Sequence, residues 1–132
     1  MKKFLLLFSL ALFFGATFFT QSCNKQLPED MSSIACDTLQ LSYNAGIKDI
    51  INTSCAYSGC HKNGDAPGDF STYQGMSSRL DNGTFFNRVV TEKDNPPRRM
   101  PPVYTTSGHP AELTTAELNM IHCWLLDNYP EN

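Results

Sequence analysis

Two cysteines and a histidine carry the most specific chemistry in this chain: Cys55-Ala-Tyr-Ser-Gly-Cys60-His61. Paired thiols followed at once by an imidazole suit covalent haem. Each thiol can add to one vinyl group of a porphyrin, and the adjoining His61 then stands under the iron as proximal ligand. The usual spacing has two residues between the cysteines, whereas Ala56, Tyr57, Ser58 and Gly59 intervene here. On a regular α-helix a five-residue step turns about 140° around the axis and rises about 7.5 Å. The sulfurs would then not share a face. The segment is therefore expected to loop out, with Gly59 supplying the backbone freedom.

The elements that must position these residues read as helices. Ile47, Ile50 and Ile51 form a helical stripe. Asn44 is a candidate N-cap, and the helix is expected over about Ala45 to Thr53. Ser71-x-x-Gln74 reads as a capping box for a second helix ending near Leu80, where Asn82-Gly83 is a stop signal. Phe85, Phe86, Val89 and Val90 suggest a short third helix. Five prolines (Pro96, Pro97, Pro101, Pro102 and Pro110) keep residues 91–112 from being helical for long. Thr114-Thr-Ala-Glu117 is another capping box, opening a last helix over about Thr115 to Asp127. Leu118, Ile121 and Leu125 mark its buried stripe, with Trp124 beside it and His122 expected at the surface. No alternating strand pattern competes. The fold class is all-α, with three or four short helices and long loops.

Cys55 to His61, Asp69-Phe-Ser-Thr-Tyr73, Met100-Pro-Pro102 and Leu113-Thr-Thr-Ala-Glu-Leu118 with Trp124 together resemble the small class I cytochrome c domains of bacterial lipoproteins. The resemblance covers roughly Cys36 to Asn132. It implies one haem c, covalently attached, with three or four helices around it. It carries the sixth iron ligand onto Met100, whose thioether would complete His/Met coordination and raise the reduction potential. Met76 on a helix, Met31 in the tether and Met120 in the last helix compete poorly. His109 is the alternative ligand, and gap-filling packing is the alternative role for Met100. In class I folds the first and last helices cross, so a Cys36–Cys123 disulfide would tie the domain ends; two independent buried thiols are the other reading. Arg98 and Arg99 would meet the haem propionates or simply sit in a solvated loop. Trp124 and Tyr73 would pack near the haem edge.

Residues 1–22 read as a secretory signal: Lys2 and Lys3, an apolar run from Phe4 to Phe19, and a small residue before Cys23. Ser22-Cys23 resembles the cleavage and lipidation site of bacterial lipoproteins, with ordinary secretion as the alternative. Lipid at Cys23 would anchor the protein, because each buried CH2 is worth roughly 0.8 kcal/mol and stable anchoring needs more than one chain. Residues 23–35 read as a polar tether and 36–132 as one domain. Removing Lys2 and Lys3 takes the net charge from -3 to -5, which argues against a nucleic-acid partner. After Cys23, Leu, Ile, Val and Phe together make up less than a fifth of the residues. Domains this short of apolar surface recruit disulfides, metals or cofactors.

These features lead to a monomeric one-electron carrier of the cell envelope, not an enzyme, exchanging electrons with redox proteins from a lipid anchor. The alternative is a structural or interaction lipoprotein without haem. It would hold zinc on Cys55, Cys60, His61 and a further ligand such as His109, or close a Cys55–Cys60 disulfide. A haem peroxidase ranks last, because His/Met coordination leaves no open iron site.

Overall fold

The computed structural model describes residues 35–132. The leader, Cys23 and nearly all of the tether lie outside the described residues. Among the described residues the secondary structure is helical, with no strand: α1 (Ile47–Ser54), α2 (Tyr73–Asp81), α3 (Thr84–Phe86) and α4 (Thr115–Leu126). A 3-10 turn, Cys36–Thr38, precedes them, and α3 runs on as a π-helical segment, Asn87–Thr91. None of these helices is long and apolar enough to cross a membrane.

Two helix starts differ from expectation. α1 begins at Ile47 with Gly46 at the cap. Asn44 is not the cap, because the C-terminal tail has claimed it. Its backbone N–H donates to Glu131 O (3.0 Å) and its side chain to Asn132 Oδ1 (2.7 Å). α2 is capped by Thr72, whose Oγ1 accepts the Gly75 N–H at 3.1 Å. Ser71, the expected cap, instead donates from its backbone and hydroxyl to the Asp69 carboxylate. The last helix follows expectation: Thr114 and Glu117 form a reciprocal capping box, which satisfies two orphan donors.

The core lies where α1 meets α4, between Tyr43, Ile47, Ile51, Met76, Leu80, Phe85, Val90, Ile121 and Trp124. Trp124 is wholly buried and donates its indole N–H to Pro130 O (2.9 Å). The tail then crosses back to receive the Tyr43 N–H on Pro130 O. A disulfide joins Cys36 to Cys123, so the start of the domain is pinned to α4. α4 is consequently covered on more than one side. Ile121, His122, Cys123 and Trp124 are all buried, whereas Leu118 and Leu125 are only partly so.

His122 is thus a core residue and not the expected surface one. It is 1 % exposed, and neither ring nitrogen has a hydrogen-bond partner. Burial lowers its pKa below the ordinary imidazole value. As pH falls, the unfolded ring, near 6.5, binds its proton before the folded one does. The stability is therefore complete above about pH 6.5 and is lost as pH falls towards the folded value. Replacing His122 with Leu should flatten this loss between about pH 7 and about pH 5, relative to the parent. Urea midpoints across that range test it, and parallel pH profiles for the two proteins would remove the assignment.

Candidate cofactor site

The segment between Cys55 and Cys60 leaves helical geometry as soon as α1 ends. The Ala56 N–H reaches back five residues to Ile51 O at 2.8 Å. Tyr57 O then accepts the Cys60 N–H at 2.9 Å, closing a tight turn over Ser58 and Gly59. Gly59 has φ +87°, as the third residue of a type II turn requires. The His61 N–H finally bonds Cys55 O at 3.0 Å. The four intervening residues are thereby folded out of the way. Cys55, Cys60 and His61 all line one cavity of about 800 Å³, and Met100 and Pro101 line it too.

His61 is held on two sides. Its ring stacks on Phe70 with centroids 4.1 Å apart, and Nδ1 lies 3.1 Å from Pro67 O. A carbonyl can only accept, so Nδ1 carries the proton and Nε2 is left with its lone pair. Burial lowers the His61 pKa, outweighing the opposing bond to Pro67. A neutral, oriented imidazole is the form a metal needs. The loop that supplies Pro67 and Phe70 is fixed by the start of α2. There Gly75 passes so close to Asp69 O that a Cβ would lie 1.7 Å from that atom. Only glycine fits this approach.

Met100 sits beyond the π-helical segment and its backbone N–H donates to Arg88 O at 2.9 Å. Phe70, Phe85 and Val89 give the cavity apolar walls. Arg79, Arg88 and Arg98 also line it, and no Asp or Glu does. Arg98 pairs with Glu92 at 3.0 Å, whereas Arg79 and Arg88 form no ion pair among the described residues.

Several of the expected site residues lie outside the lining of this cavity. Arg99 does not reach this cavity: its guanidinium binds Ala111 O and Glu112 and lines a smaller cavity of about 240 Å³. Trp124 and Tyr73 do not line the larger cavity either, since they pack with Tyr43 and Tyr129 in the core. His109 lies outside its lining. It stacks face to face on Tyr57 at 3.5 Å, and Nδ1 is 3.0 Å from Thr53 O. Conversely, Arg79, Arg88, Phe70, Phe85 and Val89 were missed as site residues. Phe70 lies inside the Asp69–Tyr73 motif, and Phe85 and Val89 were legible as helix-forming apolar residues but not as site residues; Arg79 and Arg88 come from α2 and the π-helical turn.

Zinc on Cys55, Cys60 and His61 would need a fourth donor, and His109 lies outside the cavity they line. Among the described residues no three His, Cys, Asp or Glu side chains gather to hold a metal ion. Burial, followed by the proximity of Cys60, pushes the Cys55 thiol up to about 12. Cys55 and Cys60 are free thiols and not a disulfide. No protein family, curated protein or solved structure compared with this chain matches it.

Proposed function

We propose that this chain is a mono-haem c-type cytochrome of class I type that carries one electron at a time and is not an enzyme. The observation that carries the reading is the shared cavity: Cys55, Cys60, His61 and Met100, from two separate segments, line one space of about 800 Å³. Its chemistry suits haem in three respects. Cys55 and Cys60 would hold the group covalently. His61 offers Nε2 and Met100 a soft sulfur to the iron. Arg79, Arg88 and Arg98 would meet the two propionates, since guanidinium suits carboxylate, while Phe70, Phe85 and Val89 would pack on the porphyrin.

Bound haem supplies the one-electron iron couple. The chain orients the His61 imidazole through Pro67 and lines the cavity with Phe70, Phe85 and Val89, and His61 and Met100 would be the residues that hold the iron. With both ligands bound, the iron would have no open site for a substrate. The signal at residues 1–22 and lipid on Cys23 would place the protein at the cell envelope, tethered to a membrane beside its redox partners. Tethering raises their effective concentration, so a weak, transient interface is sufficient.

Protein made with haem-maturation factors should show a sharp α-band when reduced and a weak near-red sulfur-to-iron band when oxidised. Met100→Ala should abolish the near-red band and lower the potential, because a thioether ligand raises it. His109→Ala should keep the band. An absent α-band would overturn the reading, and loss of the near-red band in His109→Ala but not Met100→Ala would reassign the sixth ligand.

A further inference from the structure

We propose that His109 is a positioning residue: its stack on Tyr57 and its bond to Thr53 latch the Met100 loop onto the Cys55–Cys60 turn. The inference rests on the reading of Met100 as an iron ligand, and it gives the four-residue insertion between the cysteines a purpose.

The far end of residues 101–113 is held by Arg99, which binds Ala111 O and Glu112, and by Leu113 on the core, so the part that needs a latch is 101–109. Their one backbone–backbone hydrogen bond among the described residues is local, from the His109 N–H to Thr106 O at 3.2 Å. Within that stretch Thr105 Oγ1 donates to His109 O at 2.9 Å, so the turn 105–109 is knitted to the histidine itself. From residues 101–109 the side chain of His109 reaches another element through Nδ1, which donates to Thr53 O at 3.0 Å at the end of α1, and the Thr106 side chain hydrogen-bonds that of Tyr57. Thr53 O only accepts, so this bond fixes the ring tautomer with the proton on Nδ1.

The other half of the latch is Tyr57. It lies between the two cysteines and is 6 % exposed. Its ring and the His109 ring are parallel to within 2° at 3.5 Å. Beside this stack, Gly59 comes near enough to Thr106 that a Cβ would stand 3.8 Å from the threonine methyl. The two loops therefore meet at two points. Thr105 and Thr106 line the same cavity as Met100, Cys55 and Cys60. With two residues between the cysteines there would be less chain from which to raise a ring to this height. The longer turn offers Tyr57 as a platform. Met100 is thus held from both directions, by Arg88 O through its own N–H and by His109 through the loop that follows it.

A loosened loop lets Met100 leave the iron more often, so an external ligand enters faster. In the oxidised holoprotein, His109→Ala should bind imidazole or cyanide about tenfold faster or more, from loss of one hydrogen bond and one ring stack. His109→Phe restores the stack alone and should fall between variant and parent. A merely destabilising change would not do this. Leu125→Ala trims a partly buried core residue that lines neither cavity, and it should leave the entry rate unchanged.

A second measurement does not need haem. Tyr104 is 80 % exposed on the same loop, and chymotryptic cleavage after it should quicken by a similar factor in His109→Ala. Unchanged cleavage and unchanged ligand entry overturn the latch, as does equal acceleration by Leu125→Ala. Parent protein without covalent haem counts against the proposed function, and cleavage after Tyr104 then judges the latch alone.

Discussion

Replacing His61 with Ala should yield a protein with no stably held low-spin haem. The loss is expected to be nearly complete, for two reasons that compound. The donor proposed for the iron is gone, and so is the ring that stacks on Phe70 at the cavity. The hydrogen bond from Nδ1 to Pro67 O and the stack on Phe70 at 4.1 Å are lost with it. The deleted ring leaves a hole of its own shape, which free imidazole can enter. Millimolar imidazole should therefore restore part of the low-spin spectrum if the polypeptide has folded. Far-ultraviolet circular dichroism separates a folded apoprotein from an unfolded one. Normal low-spin haem in the variant without added imidazole would sink the role given to His61.

Removing the Cys36–Cys123 disulfide should have the second large effect. The bond closes a loop with a sequence separation of 87. The chain-entropy model assigns such a loop about 4–5 kcal/mol, as an upper figure. Natural domains of this size are stable by only about 5–15 kcal/mol. The double change Cys36→Ala and Cys123→Ala should thus leave the domain near its threshold. Alanine is the suitable replacement, because Cys123 is buried and a hydroxyl there would need a partner. The urea midpoint should fall steeply, and mild reduction of the parent should move it in the same direction. A loss below about 1 kcal/mol would show that the tertiary contacts of α4 hold the domain together unaided.

The same disulfide shows what kind of structure this small domain has. It has few large aliphatic residues, and its aromatic residues are gathered around Trp124, with Tyr43, Phe85 and Tyr129 all within ring-contact distance. The covalent tie and this cluster hold one side. The other side is a cavity of about 800 Å³, where a flat apolar cofactor would complete the core. A bound cofactor would therefore be expected to raise stability as well.

Local chemistry was readable directly from the residues. A capping box at Thr114–Glu117 and the Ile47, Ile50, Ile51 stripe announce α4 and α1, because capping and helical periodicity are set within a few residues. The segment between Cys55 and Cys60 is expected to loop out, with Gly59 supplying the freedom, and a turn with Gly59 at φ +87° is found there. Long-range geometry was not readable in the same way. Asn44 had every local qualification for a cap, yet the tail residues 131 and 132 took its hydrogen-bonding groups. His122 looked like a surface residue on a two-sided helix until the disulfide and core covered it on more than one side. Arg98 and Arg99 are neighbours in the chain but face different cavities, while Arg79 and Arg88 reach the larger cavity from α2 and the π-helical turn. Periodicity reports which face of a helix is apolar. It does not report which distant segment will cover that face, since that depends on contacts closed only when the whole chain is packed.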